Sequence, residues 1–587
     1  MSDAAVVLGA VGLNGCFMVV GYALLAVCLR SASRRSWLSY APVALLLGAG
    51  TCGVSLEILV LIGLRADLPT FAGVAIVLSA GGLLASRRLR ETTRRRLSLE
   101  PATPVAKEAG LTEGVLATAF CCFAVVLAVL ILFGAFRTAP WLDDSWTFWI
   151  PKGLSLGNLG LDPRMFTPST HYVGLTHRSY PVFWSITAEL AIRFAGHIDL
   201  RAVTGELAVL TVAFAGAIVR VLSGRVRPAL LWFGVALFLL SPEVAHQTQG
   251  GGADLVLGIY LALFVLGAFG WIIERNRGAL VLTAAFGSVA LATKVEALPE
   301  FAICAVVACL AAWHLDRRTW RPLLGAVFAA ALSSVPWFVW AQLRAGKEPR
   351  ADYGSSLNLS HGIAPTGRLG PTVHALGAQA LSPQHWLLIV PVTVLLCLVL
   401  ALRERKIDWL APAAMILVIF AFFVWVYWFD SRPLAASLRS TGYRVFVPMA
   451  LLSAAALPVV VDRVLVAIPR WEIAVAGLPC AGALAVVIAI AAPVAAHAPA
   501  PIPGSPPLTA AKVGGKTFRR WVFSPRFAPG WTTFDGLKAV AGPAAGRATT
   551  ANEPGVAPAK RPAKSCLTAV TGESAFAYQL IGPKVSL

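Results

Sequence analysis

The feature that most limits this chain is a long succession of apolar runs. Most approach the roughly 20 residues that an α-helix needs to cross a bilayer. They lie at about 4–29, 41–63, 69–86 and 113–136, then 181–195, 203–222, 228–240, 255–273, 278–293 and 297–313. A last group covers about 322–340, 386–402, 409–428, 443–461 and 473–495. Hydrophobic residues make up 57% of the 587, with a mean hydropathy of +0.74. Soluble domains sit near 45–50% by a roughly similar count. The expected fold class is therefore all-α, a polytopic transmembrane helical bundle.

The formal net charge of +20 raises the question of nucleic acid. The basic residues answer it, because they cluster in short loops between apolar runs and in the tail. That is the positive-inside pattern and not a nucleic-acid face. Arg30, Arg34 and Arg35 follow the first run, and Arg87, Arg88, Arg90, Arg94, Arg95 and Arg96 follow the third. Placing both clusters in the cytoplasm puts the N-terminus outside. No basic stretch precedes the first run, so it reads as a span and not as a cleavable signal. Nine of the ten cysteines lie in apolar runs and only Cys566 lies clearly outside them, which gives neither a disulfide framework nor a zinc spacing.

Arg275, Arg277, Arg317, Arg318, Arg321, Arg403, Arg405, Lys406, Arg463 and Arg470 mark later inner loops. The alternation closes with about fourteen crossings and an outer C-terminus if the short run 228–240 is a half-helix or re-entrant piece. The location expected is the inner (plasma) membrane, with outer loops at 137–179, 241–254, 341–385 and 430–444 facing the periplasm or exterior. Three parts follow: extra N-terminal spans and a basic loop (1–112), a transmembrane core (113–497), and an outer tail (498–587). The tail opens on a Pro-rich linker, has aromatics at Trp521, Phe523, Phe527 and Trp531, and reads as partly flexible. No phosphate-binding glycine loop occurs.

Only 13% of the residues are charged, so charges at the outer ends of spans stand out. Asp143 and Asp144 follow the fourth run within Trp141-Leu-Asp-Asp-Ser-Trp-Thr-Phe-Trp-Ile-Pro-Lys152. Either acid suits a helix N-cap. Either also suits a general base that takes the proton of an attacking hydroxyl, its neighbour raising its basicity by like-charge repulsion. Ser145–Leu156 is expected to form a short helix along the membrane surface, with tryptophans at headgroup level and a kink or break at Pro151. Lys152 on that helix either meets an anionic substrate or snorkels to the headgroups.

Arg432, Arg439 and Arg444 crowd one outer loop, against the positive-inside bias. They read as a phosphate clamp, or as headgroup contacts and a structural pair with Asp430. Lys294 and Glu296 sit between two short apolar runs and Asp254 opens a span. Intramembrane ionisable groups of this kind are functional candidates, with mutual pairing and helix capping as the plainer accounts. His171 and His177 form no metal signature, being six residues apart.

Several of these stretches carry a resemblance. His177-Arg178-Ser179-Tyr180-Pro181 is similar to the His-x-x-Tyr-Pro entry to a span in bacterial family-39-like members of the GT-C superfamily of integral-membrane glycosyltransferases. Gly252-Ala-Asp254 resembles their Ala-Asp segment, and Ala292-Thr-Lys-Val-Glu296 their Thr-Lys-x-Glu segment. Ser440-Thr-Gly-Tyr-Arg444 before Val445-Phe-Val-Pro448 resembles their Arg-Tyr element with the order reversed. With the outer-loop acids, the likeness covers about 113–495 and is to members of the protein O-mannosyltransferase and aminoarabinose transferase type. It implies a GT-C-like bundle with an outer juxtamembrane helix. The implied activity is an inverting transferase fed by a polyprenyl-phosphate-linked sugar, with Asp143 as the base and Asp144 as the cap. Lys152, His177, Arg178, Tyr180, Asp254, Lys294, Glu296, Arg432, Arg439 and Arg444 are the substrate-binding candidates. Partners are then the lipid donor, membrane lipids and an unidentified acceptor glycan, lipid or protein. No particular cofactor is implied, and a divalent metal stays open. The rival readings are a transporter or flippase, a cell-envelope glycan ligase or polymerase, and an inactive scaffold.

Overall fold

A computed structural model describes residues 3–27, 37–92, 111–142, 144–162, 177, 179–343, 366–430, 434, 437–438, 442–466, 510–513 and 516–519. It opens with α1 (Asp3–Leu25), α2 (Ala41–Leu61), α3 (Leu68–Thr92) and α4 (Leu111–Ala135). A π-helical turn over Ser145–Trp149 then runs directly into α5 (Ile150–Leu159). The middle of the chain forms α6 (Phe183–Phe194), α7 (Arg201–Leu222), α8 (Pro228–Leu240), α9 (Pro242–Gly250), α10 (Ala253–Glu274) and α11 (Arg277–Leu291). The last helices are α12 (Ala297–Leu315), α13 (Trp320–Leu343), α14 (Thr366–Ala380), α15 (Pro383–Trp386), α16 (Ile389–Glu404), α17 (Leu410–Phe429) and α18 (Val447–Val466). In the tail, Ala510–Val513 and Lys516–Arg519 pair as an antiparallel hairpin that the sequence reading did not anticipate. The aromatic patch at 521–531 lies outside the described residues.

The chain is a multi-pass helical membrane protein. Among the described residues ten helices are long and apolar enough to cross a bilayer, or up to twelve if two bent pairs count as spans. That is fewer than the fourteen expected, and the reasons are specific. Helix α6 has 12 residues and α11 has 15, or about 18 and 22 Å at 1.5 Å per residue against a hydrocarbon core of about 30 Å. The run at 473–495 lies outside the described residues. The short run 228–240 is α8, and after a 53° bend at Ser241 it continues as α9. A second bend, of 107°, separates α14–α15 from α16.

The spans sort into an inner and an outer set. Those over Arg201–Leu222 and Arg444–Leu465 are 78% buried inside the protein, whereas Leu68–Arg88 is 17% buried and turns most of its apolar surface outward. Of the N-terminal helices, α2 belongs to the packed set and α1 lies against it. A Cβ on Gly21 would lie 1.7 Å from the Ala44 carbonyl oxygen, and one on Gly48 would lie 1.8 Å from that of Phe17. Glycine on both sides thus lets the α1 and α2 backbones touch, which is how membrane helices gain dispersion contact without a hydrophobic driving force. Polar bonds continue the attachment. Asn14 Nδ2 donates to Glu206 Oε2 at 2.7 Å, Tyr260 Oη to the Leu46 carbonyl at 3.0 Å, and the Val182 N–H to Glu57 Oε2 at 3.2 Å.

The helix expected over 145–156 exists, and it is packed inside the protein. Trp149 and Lys152 are buried, as is every residue from Ile150 to Gly157. A Cβ on Gly153 would come within 2.2 Å of the Ser185 carbonyl oxygen, so α5 is pressed against α6. Pro151 falls where the π-helical turn gives way to the first turn of α5, so the helical geometry changes beside it.

Candidate functional site

Two glycines decide where the acidic turn goes. The Gly250 carbonyl accepts from the Leu142 N–H at 3.3 Å and from Ser145 Oγ at 2.8 Å. Gly251 follows at φ +74°, a conformation that suits glycine, and a Cβ there would sit 2.8 Å from Pro140 Cβ. Its carbonyl accepts from Trp184 Nε1 at 2.9 Å. The junction of α9 and α10 is thereby stapled to the segment carrying Asp144, and Asp254 in the first turn of α10 is brought beside it.

The result is a chain of ionic contacts. Arg444, in a 3-10 turn that feeds α18, donates from Nη2 to Asp144 Oδ2 at 2.5 Å and to Asp254 Oδ2 at 2.6 Å. Its Nε reaches the same Asp254 oxygen at 2.9 Å. Asp254 Oδ1 accepts from Lys294 Nζ at 2.9 Å, and Lys294 lies 3.4 Å from Glu296 Oε1. Tyr180 Oη donates to that Glu296 oxygen at 2.7 Å. Five segments distant in sequence thus meet, with two cations set among three carboxylates. Buried ion pairs recover their desolvation cost only when the geometry is good and further hydrogen bonds complete them; here Glu296 Oε2 stays without a partner among the described residues.

Asp144 differs from its partners in being open, its side chain 37% exposed against 12% for Asp254 and 5% for Arg444. Burial would push its carboxyl upward. The charges of Arg444 and Lys294 and the Arg444 hydrogen bond outweigh that and hold it below the usual carboxylate range. Solvent at the exposed edge moderates both contributions. Lys294 goes the other way: burial alone would lower its ammonium, but Asp254 and Glu296 hold it above the usual lysine range. Asp144 sits at the N-cap position of the π-helical turn yet makes no side-chain cap bond. Its carboxylate is given to Arg444, so the helix-cap role expected of it is not what the geometry provides.

Of the sequence candidates, Asp144, Tyr180, Asp254, Lys294, Glu296 and Arg444 come together. Asp143, His171, Arg178, Arg432 and Arg439 lie outside the described residues. Lys152 is fully buried, and its Nζ donates to the carbonyls of Tyr180 (2.7 Å) and His177 (3.3 Å). The same ammonium stands 4.8 Å from the Phe148 ring centre and 5.3 Å from that of Trp337. It holds the loop that carries Tyr180. His177 has φ +55° and packs edge-on against Phe148 and Tyr180, each 5.0 Å away between ring centres. Among the described residues no group of three or more His, Cys, Asp or Glu is placed to hold a metal ion.

The sequence reading passed over Glu57, whose Oε2 accepts from Val182 just beyond the Tyr180 loop. An acid within an apolar run was the signal, since such residues are functional candidates by default. It also passed over Glu243, His246 and His385, which form a second polar cluster next to Tyr443.

No protein-family model and no curated protein matches the chain. Among solved structures it is similar to the crystal structure of ArnT from Cupriavidus metallidurans bound to undecaprenyl phosphate, at 19% identity and a TM-score of 0.41. The alignment covers 65% of this chain and 66% of that one, so the likeness spans a little under two thirds of ArnT.

Proposed function

We propose that the protein is an inverting glycosyltransferase that moves a sugar from a polyprenyl-phosphate donor to an acceptor at the outer membrane face. The observation that carries the reading is the convergence of Asp144, Arg444, Asp254, Lys294, Glu296 and Tyr180 in one buried network with a single exposed carboxylate. Four of the five segments are those that resemble GT-C members in sequence.

In this mechanism the donor phosphate competes with Asp144 for Arg444, a guanidinium suited to bidentate oxyanion binding. Lys294 adds charge one contact further in. As the anomeric carbon–oxygen bond breaks, its electron pair passes to the phosphate, which leaves without protonation. Asp144, relieved of its counter-ion by the arriving phosphate, regains basicity and accepts the acceptor's proton. The base is thus competent only when the donor is bound. Asp143, next in the chain, is the alternative base.

The test is transfer by purified protein in nanodiscs, with polyprenyl phosphates carrying mannose, glucose or arabinose. Release of polyprenyl phosphate that requires Asp144 and Arg444 is the expected result. Release that persists in both Asp143→Asn and Asp144→Asn would remove the base assignment. The two bent helix pairs, at 240/242 and 386/389, favour a second reading as a transporter, since discontinuous helices are what such proteins use. Solute flux into liposomes with no sugar transfer from any lipid donor would select it.

A further inference from the structure

Beside the ionic network lies a cluster that the transfer mechanism does not use. Glu243 is buried near the start of α9, and three side chains donate to its carboxylate. Oε1 accepts from His246 Nδ1 at 3.0 Å and from Gln247 Nε2 at 2.6 Å, and Oε2 accepts from His385 Nδ1 at 3.2 Å. A carboxylate only accepts, so each Nδ1 carries the ring proton. The Nε2 of each ring then lies on the edge away from Glu243. Those edges are open, the two side chains being 31% and 36% exposed. Among the described residues neither Nε2 makes a hydrogen bond.

The cluster is tied to the reaction centre at two points. The Tyr443 ring stacks on His385 and meets His246 edge-on, at 6.3 and 5.5 Å between centres, and Tyr443 directly precedes Arg444. The Trp141 ring lies 4.2 Å from that of His246, on the segment that leads into Asp144. Two buried polar atoms here also lack partners among the described residues, the Trp141 indole N–H and the Gln247 Oε1.

Open imidazole edges and aromatic rings, with one unmet donor and one unmet acceptor beside them, suit a ligand whose groups both donate and accept, and a polyol is such a ligand. We propose that Glu243, His246 and His385 form the acceptor subsite, and that the acceptor is a carbohydrate whose ring hydroxyls hydrogen-bond the two Nε2 atoms. This rests on the transferase reading and adds the chemical class of the second substrate. His246 and His385 bind, and Glu243 fixes their tautomers as a positioning residue.

The test uses the full chain in nanodiscs and saturation-transfer NMR. The probes are methyl α-mannopyranoside, methyl β-glucopyranoside and methyl α-arabinofuranoside, with ethanolamine and a serine tripeptide for comparison. Asparagine keeps a donor at the Nδ1 position and deletes the outward nitrogen, while glutamine keeps a polar atom at the Nε2 position. A glycoside signal that drops at least fivefold in His246→Asn and His385→Asn, and persists in the His246→Gln and His385→Gln variants, is the expected outcome. No glycoside signal, binding of ethanolamine or the peptide alone, or unchanged glycoside binding in the Asn variants overturns the subsite. Undecaprenyl phosphate binding is followed in parallel. Its retention without glycoside binding overturns this inference and leaves the donor side standing. Glycoside binding that depends on His246, without any lipid-phosphate binding, supports the subsite and counts against the transferase.

Discussion

The two ends of the bundle treat charge differently. Helices α10 and α18 each run about 30 Å from the Asp254–Arg444 contact to the opposite end. There Arg227 Nε meets Asp462 Oδ1 at 2.5 Å and Arg225 Nη2 meets Glu274 Oε2 at 2.6 Å. In both pairs the side chains are 16–28% exposed. At the Asp144 end, Arg444 serves two carboxylates, Asp254 serves two cations, and nearly every member is buried. Paired surface charges act as staples, each worth about 0–1 kcal/mol. A shared buried network is a poor staple, because each member depends on the others and the desolvation is large. In the proposed mechanism its value lies in holding charge ready for a ligand that can take a partner's place.

That contrast can be broken experimentally. Arg444→Ala removes the hub and leaves two carboxylates facing each other. Transfer is expected to fall by about a hundredfold or more, the scale of losing an electrostatic stabiliser, and stability by about 3–5 kcal/mol. Activity assays and thermal unfolding measure the two losses together. Arg444→Lys does not restore both contacts, since a point ammonium cannot span them.

Asp144→Asn is expected to separate what Arg444→Ala joins. Transfer drops by about 10²–10⁴-fold, the range for a lost general base. Stability changes by under about 1 kcal/mol, because the partly exposed carboxylate is screened. Retained transfer together with a large stability loss would mark Asp144 as structural.

The pH dependence sharpens the same point. Asp144 is held below its unfolded value, so its pairing contributes stability above about pH 4 and loses it as pH falls through the lower folded value. The difference in melting temperature between wild type and Asp144→Asn should be flat from pH 5 to 8 and close only in acid. A difference that instead appears at neutral pH breaks the assignment. The smallest effect belongs to the far end. Arg227→Gln should cost about 1 kcal/mol or less and leave transfer unchanged.

Most of the helical order was legible, because a run of about 20 apolar residues has few other uses. The crossing count was not, since α6 and α11 are apolar through burial in protein and not through length. In the site, Asp254, Lys294, Glu296 and Arg444 stood out as charges at the ends of apolar runs. Lys152 was legible as a charge but not as a loop clamp, because nothing local says that a lysine will find two carbonyls some 25 residues away. Glu243, His246 and His385 were missed for a similar reason. Pro242–Gly250 reads as an ordinary polar stretch until the second bend carries His385 against it.

The bond from Val182 to Glu57 has one more consequence. The first helices of this chain look, in sequence, like a prefix attached to a core that would be complete without them. Yet a group in the prefix answers a backbone N–H beside the Tyr180 loop, in surroundings where water does not replace it. An appendage that supplies such a group cannot be shed afterwards. Loss of the first helices would leave that N–H unanswered in the interior, so the margin of the chain constrains what lies downstream of it.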